Sequence, residues 1–259
     1  MMQFSSLLFA ALFLYVGACG FLYAFQRDLL YFPTKKYEHP YEEILFQNHD
    51  ASISVVVLNK GKEHGLLYFG GNGEAVIGNA ESFASEFPDI TIYLFNYRGY
   101  GGSSGSASES AIYADATAFY QSIKPNHKDI SVAGRSLGSG IATYLAASQP
   151  MHKVVLITPY DSILNVAKKR FLFFPVSLLL KDKYESVVRA KSIKSDVLVL
   201  AAEHDQVIPA EHTQALANEL NNADVEFKVI KNTGHNNISN TPEYYKLIKQ
   251  FLQGVLLNA

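Results

Sequence analysis

The sequence predicts an α/β fold, with a mostly parallel central sheet, helices on both of its faces and an apolar helix ahead of it. Three observations lead there. Strand-like apolar runs alternate with helical stretches over most of the chain. One such strand runs straight into Gly134-Arg135-Ser136-Leu137-Gly138, and a helical stretch leaves it. Near the N-terminus, residues 4–25 carry no charged side chain, a run long enough to cross a ~30 Å hydrocarbon core as a helix.

Taken in order, residues 44–46 and 53–58 read as early strands. Further strands are expected at 65–69, Ile90–Phe95, 130–133, 154–158, 197–201 and Val225–Ile230. These runs are short, continuous and rich in β-branched or aromatic residues, as strands buried on both faces should be. Helices are expected at 109–122, 137–147, 210–220 and 242–256. Ser106 to Glu109 fits a capping box for the first of them. Thr241-Pro242 suits the start of the last, because proline is at home in the first helical turn. Repeated strand–helix units imply a parallel sheet. In such sheets functional residues gather just past the carboxyl ends of the strands.

The chain has 259 residues and no linker-like stretch, which favours one folded domain at 28–259 behind an anchor at 1–27. Hydrophobic residues make up 48%, enough for a large core. A formal net charge of −2 gives no basic excess and argues against a nucleic-acid partner. The single cysteine, Cys19, excludes an intramolecular disulfide.

Residues 1–27 read as an uncleaved single-pass membrane anchor. A secretory signal would begin with a basic region and a shorter apolar stretch. Val16-Gly17-Ala18-Cys19 resembles a lipoprotein cleavage box, with Cys19 the residue to be lipidated. The apolar run nevertheless continues through Phe25, as a span would. Arg27, Lys35 and Lys36 follow the run and no basic side chain precedes it, so the charge rule favours a cytoplasmic C-terminal domain.

The pentapeptide around Ser136 has the context a nucleophile elbow requires. A strand leads in, a helix rich in small residues leads out, and glycines two residues either side make room for neighbouring backbone. Gly101-Gly102-Ser103-Ser104-Gly105 spells the same pattern. Five residues separate it from its strand, however, and it reads as a flexible loop. A nucleophilic serine needs a base, and the base needs an acid that fixes its tautomer. His235 follows the last strand and Asp205 the one before, both on the correct side of the sheet. Glu203, His204 and Asp161 are the rivals as acid. An oxyanion would be held by the backbone N–H of Leu137 and by a second donor in Gly70-Gly71-Asn72-Gly73, Asn72 first and Gly71 next. No phosphate-binding loop or His-Glu-x-x-His pattern occurs, so no cofactor and no metal are expected.

With these residues in place, the sequence resembles the α/β-hydrolase superfamily, and within it the small membrane-anchored ABHD-type serine hydrolases. The likeness runs through Leu30-Tyr31-Phe32-Pro33, Tyr68-Phe69-Gly70-Gly71-Asn72, Asn96-Tyr97-Arg98-Gly99-Tyr100-Gly101, the Ser136 pentapeptide, Pro209 and Gly234-His235-Asn236. One departure is Gly70-Gly71-Asn72, where many relatives carry His-Gly-Asn. The resemblance implies hydrolysis of an ester, thioester or amide through Ser136, Asp205 and His235. It also implies a small cap insertion at about 161–194, containing the apolar stretch Phe171 to Leu180. The expected activity is cleavage of carboxyl esters or acyl thioesters, on a small or lipid-like acyl substrate beside a membrane. A peptidase on the same residues and a catalytically silent membrane-bound binding protein are the alternatives.

Overall fold

The computed structural model describes residues 2–254, with side chains from Ser6 onward. The chain opens with a 29-residue helix, α1 (Met2–Leu30). Its segment Ser6–Leu30 is long and apolar enough to cross a membrane, with a mean hydropathy of 2.1 and no buried residue in its most apolar 18-residue stretch. A hairpin follows, β1 (Glu42–Asn48) and β2 (Ala51–Leu58), and then β3 (His64–Phe69), α2 (Ala80–Glu86) and β4 (Ile90–Phe95). Next come α3 (Glu109–Ile123), β5 (Asp129–Arg135), α4 (Leu137–Ser148) and β6 (Lys153–Ile157). The insertion holds α5 (Ile163–Arg170), α6 (Val176–Leu179) and α7 (Ser186–Ala190). The chain then forms β7 (Asp196–Ala202), α8 (Ala210–Asn218), β8 (Val225–Ile230) and α9 (Pro242–Gln253).

The eight strands form one sheet in the order β1-β2-β4-β3-β5-β6-β7-β8. Only β2 runs antiparallel to its neighbours, and every pairing from β4 to β8 is parallel. Successive side chains point to opposite faces. Thus Tyr93 and Phe95 of β4 enter a core shared with α3, α4 and α8, while Ile92 and Leu94 enter one shared with α2 and α9. The interior strand β4 is buried at all six positions, whereas the edge strands β1 and β8 are half exposed. Helices on both faces therefore follow from strands that have no polar face to show water.

Four local differences from the sequence reading have physical causes. The helix α2 was not expected, because seven residues carry too little periodicity; it is held by burial of Ala80 and Phe83. The strand expected to reach residue 158 ends at Ile157, since Thr158 turns to φ 43°. The N-cap of α3 is Ser108, whose Oγ accepts the Ala111 N–H, and Ser106 lies outside it. The carboxylate of Glu109 is thereby left to hold the insertion, through the Lys183 N–H and the Arg189 guanidinium. The last helix ends at Gln253, where Gly254 takes the left-handed conformation that closes many helices. Residues 255 and 256 of that expected helix lie outside the described residues.

Candidate active site

Three loops meet at the carboxyl end of the sheet. The first is the turn from β5 into α4. Ser136 sits there at φ 49°, ψ −115°, a conformation that costs a non-glycine residue ~1–3 kcal/mol. Its N–H donates to Ile157 O at 2.9 Å, which ties the turn to the end of β6. The flanking glycines are required for space. A Cβ on Gly138 would lie 2.0 Å from Phe69 O, and one on Gly134 would lie 2.2 Å from Gly138 O. Three backbones therefore touch beneath Ser136, and the serine is held up at the sheet's edge.

The second and third loops bring His235 and Asp205 to it. His235 Nε2 is 2.9 Å from Ser136 Oγ, and His235 Nδ1 is 2.8 Å from Asp205 Oδ2. The other carboxylate oxygen of Asp205 accepts the N–H groups of Val207 and Ile208, which fixes its orientation. Both side chains are buried. The rival acids are engaged elsewhere. Glu203 pairs with Lys231 and accepts the Asn232 N–H, and Asp161 accepts from Ser162, Asn165 and the His212 ring. His204 is exposed. Ser103 lies in the other glycine loop, between β2 and the end of β4, and bonds the backbone of Ser54 and Asn96.

The loop after β3 runs beside Ser136: a Cβ on Gly71 would be 3.7 Å from Ser136 Cβ. Its backbone is fixed from several sides. Tyr97 Oη–H donates to Gly70 O, and Tyr100 Oη–H donates to Asn72 Oδ1. Asn72 Oδ1 also accepts the Phe32 N–H, and Asn72 Nδ2 donates to Leu30 O. The Asn72 side chain is thus turned to the end of α1 and holds its own backbone in place. Gly71, the next candidate donor, gives its N–H to Glu74 Oε2 at 2.7 Å. Leu137 N–H stands at the first position of α4, ahead of the intrahelical ladder.

Glu74 and Arg135 were not singled out from the sequence. Glu74 accepts from Gly71 N–H, Tyr68 Oη–H, Asn79 Nδ2 and Arg135 Nη1. Arg135 also donates to His235 O at 3.1 Å, so one arginine joins the Ser136 turn to the loops that carry Glu74 and His235. Burial is the strongest single influence on Arg135 and disfavours its charge, yet the Glu74 carboxylate together with the Tyr68 and Tyr244 hydroxyls outweighs it and holds the guanidinium pKa above its ordinary value. A charged residue between a buried strand and a buried helix was the available signal. Among the described residues, no group of three His, Cys, Asp or Glu side chains is placed to hold a metal ion.

Residues 64–189 match the family model of the α/β hydrolase fold. An uncharacterized protein of Mycobacterium tuberculosis is 33% identical over 243 residues, covering 85% of this chain and 84% of that one. The chain belongs to the α/β-hydrolase superfamily. This α/β-hydrolase is also 31% identical over 179 residues to alpha/beta hydrolase domain-containing protein 17C of Mus musculus. That match covers 66% of this chain and 53% of the mouse protein, so the chain spans about half of that relative. Among solved structures, the esterase Pf2001 of Pyrococcus furiosus shares the fold with a TM-score of 0.71 at 17% identity. It covers 86% of this chain and 96% of its own. Family and fold together mark the protein as a hydrolase of the ABHD type.

Proposed function

We propose that this α/β-hydrolase is a membrane-tethered serine hydrolase that cleaves carboxyl-ester or acyl-thioester bonds through Ser136, His235 and Asp205. The observation that carries the reading is the hydrogen-bonded line from Ser136 Oγ to His235 Nε2, and from His235 Nδ1 to the buried Asp205 carboxylate. A carboxylate on Nδ1 keeps the proton there and leaves Nε2 free to accept the serine proton. Ser136 Oγ then attacks the carbonyl carbon, and the oxyanion is met by the N–H groups of Leu137 and Asn72. His235 passes the proton to the departing alcohol or thiol, leaving an acyl-enzyme on Ser136. Water attacks that acyl group as His235 takes its proton, and His235 returns the proton to Ser136 Oγ as the acid is released. The apolar segment Ser6–Leu30 would hold the domain at a bilayer.

The test is covalent labelling of the full chain in detergent with a fluorophosphonate. Wild type and Ser103→Ala should label, and Ser136→Ala should not. Labelling that persists in Ser136→Ala removes the assignment. An ester, thioester and aminoacyl panel on the same preparations then fixes the bond that is cleaved.

A further inference from the structure

The helix α1 lies against the insertion along much of its length. At its inner end Gln26 Nε2 donates to Leu179 O, and Gln26 Oε1 accepts the Lys181 N–H. Arg27 pairs with Asp182 at 2.8 Å, and Lys181 Nζ stands 4.0 Å above the Tyr23 ring. Farther out, the Tyr15 ring stacks on Phe174, and Tyr15 Oη–H donates to Phe173 O at 2.9 Å. Eleven residues separate Tyr15 from Gln26, or ~16 Å of helix at ~1.5 Å per residue. A charged and polar cluster such as Arg27, Asp182 and Lys181 belongs at a membrane surface. The Phe173–Tyr15 contact then falls about halfway through a ~30 Å hydrocarbon core.

The tip of the insertion is built for that depth. Leu172, Phe173 and Leu178 are 75%, 86% and 82% exposed. A patch of this kind is costly in water and at home in lipid. Several of its backbone groups bond within the protein: Phe171 N–H to Ala167 O, Phe174 N–H to Phe171 O, Leu180 N–H to Val176 O, and Phe173 O to Tyr15. Hydrocarbon demands such internal pairing. Lys168 and Arg170, at the end of α5, have stems long enough to keep their charges in the headgroup layer.

Between this tip and α1 runs an apolar groove. Its inner part is a cavity of about 150 Å³ between Leu22, Leu29 and Leu30 of α1 and Ile163, Phe174 and Leu179 of the insertion. Outward it continues as an open trough between Phe13, Leu14 and Gly17 on one side and Phe171 and Phe174 on the other. Inward it ends at Leu30, whose carbonyl oxygen is held by Asn72, on the loop beside Ser136. We propose that this groove holds the acyl chain of a bilayer-resident substrate, with α1 as one wall and the immersed tip of the insertion as the other. The chain slides sideways from the leaflet, parallel to α1, and its carbonyl arrives at Ser136. The anchor is then part of the substrate site as well as a tether. An apolar cavity of ~150 Å³ takes a guest the size of benzene, about six carbons. Longer chains extend through the trough into the lipid. The proposal rests on the reading of Ser136 as an acyl-transfer nucleophile.

Two measurements on the full chain in phosphatidylcholine vesicles test it. The first compares kcat/KM for p-nitrophenyl esters of two to sixteen carbons. Wild type should rise to eight carbons or beyond. Ala167→Phe, which fills the inner cavity, should lower the ratio of twelve-carbon to two-carbon kcat/KM more than tenfold. Gly17→Leu, at a position where a Cβ meets nothing within 4 Å, should lower the sixteen-carbon to six-carbon ratio severalfold. Ratios cancel any loss of folded enzyme, and unchanged ratios in both variants overturn the groove. Two-carbon hydrolysis that survives Ser136→Ala would instead remove the reading of the catalytic serine. The second uses the lack of tryptophan in the chain, so Phe173→Trp adds a single indole. Lipids brominated along the acyl chain should quench it strongly. Quenching by aqueous acrylamide instead, with none by brominated lipid, places the tip in water and overturns the immersed wall.

Discussion

Ser103 and Ser136 both stand between glycines two residues away on either side, yet their hydroxyls meet different surroundings. Ser103 Oγ accepts the Ser54 N–H and donates to Asn96 O, closing β2 against the end of β4. Ser136 Oγ faces His235 Nε2. The glycines differ as well. Gly101 and Gly105 sit at φ 52° and 79°, in the left-handed region of a loop. Gly134 and Gly138 leave space where the backbones of β3, β5 and α4 touch. One pattern of residue types thus serves a turn in one place and a strained strand-to-helix elbow in the other. What separates them is the distance from strand to serine and the presence of a histidine in reach.

The same contrast separates two buried histidine–carboxylate pairs. His235–Asp205 and His212–Asp161 are both 2.8 Å apart at Nδ1. His235 Nε2 meets a serine, whereas His212 Nε2 is buried with no partner among the described residues. The sharpest test of the comparison is therefore amide replacement at each acid. Asp205→Asn should fold and lose about 10⁴ in kcat, because the wrong tautomer presents an N–H to Ser136. Asp161→Asn should leave kcat of the folded enzyme within about threefold and lower thermal stability through the weakened bond to His212. A loss under tenfold in Asp205→Asn would mean that another group orients His235.

The second effect in size concerns the glycines. In Gly138→Ala the new methyl meets the Phe69 carbonyl oxygen, which belongs to the central strand β3 and has nowhere to move. Destabilisation of about 3 kcal/mol or more is expected. Gly105→Ala meets only ordinary contacts, Ala51 Cβ at 3.4 Å and Arg98 Cδ at 3.5 Å. Its penalty is the left-handed backbone, ~1–2 kcal/mol. Denaturant unfolding of both variants decides the matter. Equal losses would mean that both glycines are there for conformation, and the elbow would lose its steric rationale.

The sheet was legible in the sequence because its central strands are buried on both faces and read as unbroken apolar runs. Candidates Ser136 and Asp205 stood out because each follows such a strand, and His235 because its loop lies between the last strand, an edge strand, and the last helix. The short helices of the insertion and α2 were not, since four to eight residues cannot establish a helical period. Asn72 was chosen as a backbone donor, and its side-chain bonds to Leu30 and Phe32 join residues about forty positions apart. No local pattern encodes that reach. Arg135 was missed for the same reason: Glu74 lies 61 positions before it and His235 lies 100 after it.

The smallest effect, and the one that asks most of the comparison, concerns the two arginines. Arg98 lies beside the Ser103 loop and Arg135 inside the Ser136 pentapeptide, and each meets a carboxylate. Arg98 forms a two-point pair with Asp115, at 2.7 and 2.9 Å, and also reaches Asp50. That pair joins the loop after β4 to α3 and touches no reacting group. Asp115→Asn should therefore lower stability by about 2 kcal/mol, as a lost bond to a charged group does, with kcat unchanged in the folded enzyme. Glu74 instead holds the Gly71 N–H at 2.7 Å with the same oxygen that faces Arg135, so its charge sets where the Asn72 N–H points. A glutamine there keeps the shape but has one acceptor oxygen for donors that approach from two sides. The Gly71–Asn72 peptide should then shift by a few tenths of an ångström. Outright removal of an oxyanion donor lowers kcat by about 10²–10³. A displaced donor should lower it less, about tenfold, or ~1.4 kcal/mol of barrier. KM should hardly move, because the donor acts on the charge that develops after binding. Steady-state kinetics of Glu74→Gln and Asp115→Asn on one activated ester, each with its melting temperature, separates the roles. A Glu74→Gln enzyme that loses stability but keeps kcat would reduce the 70–73 loop to scaffolding and place the second oxyanion donor elsewhere.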